Sequence, residues 1–350
     1  MAYTTIDKPS DYFNTKLYTG TGNSHAITGV GFDPNWVWLK SRSTVQNNLL
    51  FDTVRGATKK IMSNTTDEEQ TEAQYLKSFD SDGFTLGTRS EPNESGETFV
   101  SWNWKAGTSV SGTTSGSGTG KAYSGSVSTA AGFSIITYLG NGSAGHSIPH
   151  HLGVTPEIII TKRRSNAGEW YVYSPVMGNT KHMRLNRDGA EDTANTIWNN
   201  TSPTSSVFTV GTNGDVNGSN NPIIAYCFNS VQGYSKFGSY QGNSQTGLNA
   251  PFIYLGFKPA WLMVKKYTGG NHWIIWDNKR STKNGNNIID KKLYANLSHA
   301  ENGAEDVSFL SNGFKLNTNT GDWNENEGYI FMAFAESPFV SSSGVPATAG

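Results

Sequence analysis

Most of the chain alternates apolar and polar positions, but three short runs are apolar throughout: Trp36-Val37-Trp38-Leu39, Ile158-Ile159-Ile160 and Trp261-Leu262-Met263-Val264. Each follows a Gly-x-x-Pro turn (Gly31 to Pro34, Gly153 to Pro156, Gly256 to Pro259) and each leads to a lysine six places after the proline: Lys40, Lys162 and Lys265. A turn feeding a continuous run of β-formers predicts a strand buried on both faces. Other landmarks recur in the same order. Tyr18, Tyr138 and Tyr240 each stand two residues before a glycine; Asn64, Asn186 and Asn296 follow; then Phe84, Phe208 and Phe314; then the apolar runs ending at Trp104, Phe228 and Phe334. The spacing is 120–124 residues from first to second and 102–110 from second to third. Such ordered recurrence predicts three copies of a unit of roughly 100 residues, about one domain each.

The pattern predicts an all-β chain of three tandem homologous antiparallel β-sandwiches, lectin-like or jelly-roll-like, with at most short helices. A propeller is excluded by the repeat length, whereas a barrel stays open. The expected boundaries are an amino-terminal arm over 1–11, units over 12–107, 132–232 and 233–339, and a tail over 340–350. Residues 108–131 are almost entirely Ser, Gly, Thr and Ala. They read as a flexible linker reaching roughly 25–30 Å, which would let the first unit sit apart from a packed second and third. The arm reads as long enough to lie on a neighbouring subunit. Thr65 to Lys77 is the one helix candidate, with Thr66 and Glu69 spaced as a capping box. Asp82-Gly83 before Phe84 predicts a hairpin turn.

Composition removes several functions. The net charge is −1 and 16% of residues are charged, so no basic face points to nucleic acid. No apolar run approaches the length of a membrane-spanning helix, and the first residues lack the character of an export signal, so synthesis in a cytoplasm without export is expected. One cysteine, Cys227, falls in a predicted strand and excludes an internal disulfide framework.

Candidate chemistry is sparse. A glycosidase needs two carboxylates facing each other across a cleft. The candidates are Asp52, Asp277, Glu94 and Glu97, but Asp52 and Asp277 hold equivalent places in different units, and the second unit has Ser174 there. Asp80-Ser81-Asp82-Gly83 resembles the opening of a calcium loop, yet Thr85 stands where that loop needs glycine. His150 and His151 are adjacent, so on a strand they would point apart and could not share a metal. No cofactor fingerprint occurs, and no catalytic, cofactor or metal residue is assigned. Six Asn-x-Ser/Thr triplets follow from composition alone. Of the ten tryptophans, Trp198 and Trp323 lie in turn-rich segments and are the candidates for stacking on a sugar ring or a partner surface.

The opening Ala2 to Phe13, the Gly-Phe-x-Pro-x-x-Val-Trp-x-Lys core at Gly31 to Lys40, and the closing Ala335-Glu336-Ser337-Pro338-Phe339 resemble a family of bacteriophage virion structural proteins common in marine phages. The resemblance covers the first and third units; the second lacks both the Asp and the Asp-Gly-Phe turn. It implies a non-enzymatic virion protein, an exposed tail-fibre or appendage component for host attachment. A capsid decoration protein and a polysaccharide-degrading tailspike-type enzyme are the alternatives. The partners expected are other virion proteins, host-surface glycan, and further copies of the chain, with a homotrimer as the default for a fibre.

Overall fold

The computed structural model describes residues 3–283, 287–303 and 306–346. It is mostly strand, in open antiparallel sheets of which none closes into a barrel. Three sheets are large. The first runs, in spatial order, through Phe13–Thr19, Thr98–Trp104, Trp36–Ser41, Leu49–Asp52, Lys59–Met62 and Gln70–Thr71. The second runs through Thr108–Thr113, Ala122–Ser128, Phe133–Leu139, Pro222–Phe228, Ile158–Arg163, Trp170–Tyr173, Lys181–Arg184 and Asp192–Thr193. The third runs through Ser235–Gln241, Gly328–Pro338, Phe257–Lys266, Ile274–Asp277 and Lys292–Tyr294. Registers agree across the three. Trp104 lies between Phe13 and Trp36, Phe228 between Phe133 and Ile158, and Phe334 between Ser235 and Trp261.

Each large sheet buries both faces, which is why its central strand carries an unbroken apolar run: Trp36 to Leu39, Ile158 to Ile160 and Trp261 to Val264. Val37 and Leu39 point to a core shared with Ile27, Phe84 and Leu86 of a small sheet, while Trp36 and Trp38 point the other way. Ile159 and Leu262 likewise face the small sheets of their own segments. Ile158, Ile160, Trp261 and Met263 join Trp36 and Trp38 in one central core drawn from the whole chain. Aromatic rings fill it: Trp36 stacks on Tyr226 at 4.6 Å, Trp104 meets Trp261 edge-on at 5.7 Å, and Phe13 stacks on Phe334 at 5.1 Å. Such pairs add about 0.5–1.5 kcal/mol each beyond their area burial.

Several expectations need correction. Residues 108–131 are not a flexible linker: Thr108–Thr113 and Ala122–Ser128 extend the second large sheet, and Ser115–Gly116 joins a small one. Their glycines make room rather than slack, since a Cβ on Gly125 would sit 2.4 Å from the Ile135 carbonyl oxygen. The first segment is therefore not apart from the others. Thr65 to Lys77 forms no helix; it holds the short strand Gln70–Thr71 and the start of Leu76–Asp80, because it offers no apolar stripe to bury. The arm lies on its own chain: Ile6 is buried in the central core, Thr4 Oγ1 donates to the Gln232 carbonyl at 2.8 Å, and Tyr3 donates to Gly256 at 3.0 Å. The tail folds back to it, with Ser342 N donating to Asp7 Oδ1 at 2.6 Å; residues 347–350 lie outside the described residues. The expected hairpin forms, with its turn one residue earlier than Asp82-Gly83: Ser81 and Asp82 make the loop and Gly83 pairs with Asp80.

Three buried asparagines lock the chain ends of these sheets. Asn93 Oδ1 accepts from Thr21 N at 2.8 Å, Asn217 Oδ1 from Asn141 N at 2.9 Å, and Asn324 Oδ1 from Asn243 N at 3.0 Å. Each amide group also donates to two backbone carbonyls. Close approach there requires glycine: a Cβ on Gly20, Gly140 or Gly242 would fall within 2.3 Å of a facing carbonyl oxygen. Removing one amide strands buried backbone groups at about 1–3 kcal/mol each. Asn217→Ala is expected to lower stability by at least that amount in denaturant unfolding, with the slope of the transition unchanged.

Candidate functional site

The tryptophans singled out in sequence do not form a binding surface. Trp198 and Trp323 are each 1% exposed, which leaves no ring face for a sugar. Trp198 ends the short helix Asn195–Trp198 and meets Tyr173 edge-on at 5.8 Å. Trp323 meets Trp276 edge-on at 5.5 Å, donates Nε1 to Thr318 at 3.1 Å and lies under Lys292 Nζ at 4.3 Å. Turn-rich sequence signalled exposed backbone, but both rings turn inward to close the small cores.

The candidate carboxylates are buried too. Asp52 and Asp277 have no exposed surface. Asp52 Oδ2 accepts from Arg55 Nε at 2.5 Å and from the Tyr226 hydroxyl at 2.8 Å. Asp277 Oδ2 accepts from Arg280 Nε at 2.6 Å and from Trp102 Nε1 at 2.9 Å. In each case the second of these partners, Tyr226 or Trp102, comes from a different large sheet. Each arginine also reaches a glutamate that a further arginine grips with two hydrogen bonds: Arg164 on Glu69 at 2.8 and 2.9 Å, and Arg42 on Glu301 at 3.0 Å twice. Burial works to raise the Glu69 carboxyl, but Arg164 and Arg55 outweigh it and hold it below its ordinary value. Glu94 is exposed, and Glu97 accepts from Ser43.

These contacts have a direction. The second large sheet reaches the first through Tyr226, Arg164 and Lys162, whose Nζ donates to the Thr66 carbonyl at 2.8 Å. The first reaches the third through Trp102, Arg42 and Lys40, whose Nζ donates to Ser298 at 3.0 Å. The third reaches the second through Lys265, whose Nζ donates to Asp188 at 3.2 Å. The indoles of Trp170 and Trp273 and the amide of Asn48 follow the same cycle, donating to the carbonyls of Met62, Arg184 and Tyr294 at 2.9–3.0 Å. Burial lowers the ammonium of Lys40 and Lys265 to about 7 and that of Lys162 to about 8.

One place in the cycle has lost its aspartate and both arginines but keeps its glutamate: Glu191 stands where Glu69 and Glu301 do, its N–H on the Tyr267 carbonyl, and pairs with Lys181 instead. Ser174, Met177, Tyr267 and Met332 stand where the others carry Asp, Arg, Arg and a Tyr or Trp donor. Ser174, Met177 and Met332 are buried. With methionine at both 177 and 332, an aspartate at 174 would be a buried charge with no side-chain donor, which accounts for the serine there.

The remaining chemistry is structural. Asp82, in the calcium-like stretch, accepts from the backbone N–H of Gly29 and Gly31 at 2.9 and 2.6 Å. His150 is buried and bonded to the Thr204 carbonyl, while His151 takes a positive φ of 59° and meets Tyr123. Burial pushes the Cys227 thiol up to about 12. Among the described residues no group of His, Cys, Asp and Glu is placed to hold a metal, and no helix is long and apolar enough to cross a membrane. Sequence reasoning missed one feature. Phe252 and Tyr254, on the edge strand Phe252–Tyr254 of a small sheet, are 44% and 50% exposed, and no other Phe, Tyr or Trp among the described residues reaches that exposure. The strict alternation Phe-Ile-Tyr, with Ile253 inward, was the available signal.

Comparison with known families gives one match: a model described as a domain of unknown function (DUF7483) covers residues 8–338. No curated protein and no solved structure matches the chain.

Two predictions follow the buried charges. Ser174→Asp is expected to destabilise by about 3–5 kcal/mol in denaturant unfolding, and adding Met177→Arg and Met332→Tyr to recover part of that loss; no recovery would refute the pairing logic. His182 is buried with neither ring nitrogen bonded, and burial first, then Arg184, lowers it from 6.5 to about 4. Its neutral form is favoured in the fold, so the contribution is intact above pH 6.5 and is lost progressively as pH falls toward 4. Thermal melts across that window are expected to fall more steeply for the native chain than for His182→Met.

Proposed function

The chain belongs to the DUF7483 family, and from that premise we propose that it is a non-enzymatic structural protein of a bacteriophage virion, built from three tandem copies of one lectin-like β-sandwich. The single observation that carries the reading is the placement of Asp52 and Asp277. The carboxylates best suited to chemistry are fully buried and spent on joining one sheet to the next. A chain that commits its charged groups to internal joints is suited to being a rigid body that other molecules grip, rather than a cleft that turns substrate over. The phage assignment itself rests on the resemblance of Ala2 to Phe13, Gly31 to Lys40 and Ala335 to Phe339 to virion proteins.

Within this reading the three modules supply in one chain the threefold arrangement that a fibre obtains from three chains. One copy can then occupy a position on an exposed tail appendage for host attachment. The arm and the tail are tied together by Asp7 and Ser342, which suits a single attachment face contacting other virion proteins. That feature also favours a second reading, a decoration protein seated on the capsid shell, where such a face would bind.

Peptide mass fingerprinting of purified virions, with antibody labelling in the electron microscope, tests the proposal. The chain is expected in intact particles, with label on the tail appendage at a few to a few dozen copies, or over the head at hundreds for the second reading. Recovery from infected-cell lysate alone, with none in purified particles, would remove both.

A further inference from the structure

The outer face of the small sheet formed by Phe252–Tyr254, Gly313–Leu316, Val307–Leu310 and Ile288–Ile289 carries chemistry that the equivalent faces lack. Phe252 and Tyr254 occupy consecutive outward positions of one strand, so their rings stand about 7 Å apart along it. The matching positions in the other two small sheets are Ala26 and Thr28, and Ser147 and Pro149. The fold therefore does not need aromatics at these positions, and their ring faces are left largely in water.

The surroundings narrow the occupant. Lys236 Nζ lies 5.4 Å from the centre of the Tyr254 ring and donates to the Tyr254 carbonyl at 2.8 Å. Lys315, paired across from Phe252, donates to the Ala250 and Leu248 carbonyls at 2.7 and 3.4 Å. Neither lysine has a carboxylate partner among the described residues, so both keep positive charge and spare N–H donors beside the rings. Tyr3 adds a third phenol, its hydroxyl 3.3 Å from that of Tyr254. The open strand edge is itself blocked, because a strand adding there would have to displace the Lys236 ammonium from the Tyr254 carbonyl. Recognition by side chains remains: flat aromatic faces for the apolar face of a sugar ring, and cations for its acidic groups.

We propose that Phe252, Tyr254, Lys236 and Lys315 form a docking face for an acidic polysaccharide bearing carboxylate or sulfate groups. The proposal deepens the attachment role stated above and rests on it only for the source of the glycan. A surface of this kind binds along a polymer rather than enclosing one sugar, as expected of a flat sheet face with no cavity beneath.

The full chain is tested by biolayer interferometry against immobilised polygalacturonate, hyaluronate and chondroitin sulfate, with dextran as the neutral probe. At least one acidic probe is expected to bind while dextran does not, with affinity falling as salt rises. Phe252→Ala combined with Tyr254→Ala is expected to weaken that binding at least ~10-fold, equivalent to about 1.4 kcal/mol, without shifting the melting temperature. Lys315→Met is expected to weaken it and to flatten its salt dependence. Absence of binding to all three acidic probes, or equal binding by the double variant, overturns the proposal. So does self-association of the native chain abolished by the double variant, which assigns the face to a second copy. None of these outcomes bears on whether the chain is found in virions, so the two readings fail separately.

Discussion

Everything in this structure follows from a need to bury both faces of three antiparallel sheets. An antiparallel sheet commonly keeps one face in water and writes that choice as strict alternation. Here the central strands carry consecutive apolar residues, Trp36 to Leu39, Ile158 to Ile160 and Trp261 to Val264, all buried, so neither face can be wetted. A small sheet covers one face of each. The other face of each packs against its counterparts on the remaining two sheets. The central aromatic core is the result, and it makes the three segments mutually dependent.

Packing alone would leave the sheets free to slide, because aromatic contacts are forgiving of small shifts. Hydrogen bonds that cross from sheet to sheet fix the arrangement. Asp52 with Tyr226, Asp277 with Trp102, and the three buried lysines on neighbouring carbonyls each demand one orientation. Buried ion pairs contribute little net stability against an apolar replacement, but losing one partner is costly. That asymmetry accounts for the place where Ser174, Met177 and Met332 stand together: the aspartate, its arginine and its donor are absent jointly, and Glu191, which remains, is paired with Lys181. Lys265 and Trp273 still hold that joint.

The strand content and a hairpin just before Phe84 were legible because each is a local pattern of two to ten residues, whereas only two of the three proline turns form: Pro259 lies inside the strand Phe257–Lys266, where pairing with Gly328–Pro338 shifts register. The Asp52, Asp277 and Ser174 correspondence was legible as well. Its meaning was not, since the donors Tyr226 and Trp102 lie 174 and 175 residues away and sequence says nothing about which sheet faces which. Composition misled over residues 108–131, where glycine was read as slack; Gly125 is small because a neighbouring carbonyl oxygen occupies the space a Cβ would need. Trp198 and Trp323 misled in the opposite sense, as turn residues around a large ring conceal whether the ring points in or out. Phe252 and Tyr254 were not legible because alternation over three residues does not show which side of a strand meets water.

The mutual dependence of the three segments is the claim on which the rest stands, and differential scanning calorimetry of the intact chain addresses it most directly. One transition is predicted, with calorimetric and van't Hoff enthalpies in agreement, because no segment can keep its central face buried once another has opened. Two or three resolved transitions, or a calorimetric enthalpy well above the van't Hoff value, would show segments that fold alone and would contradict the account.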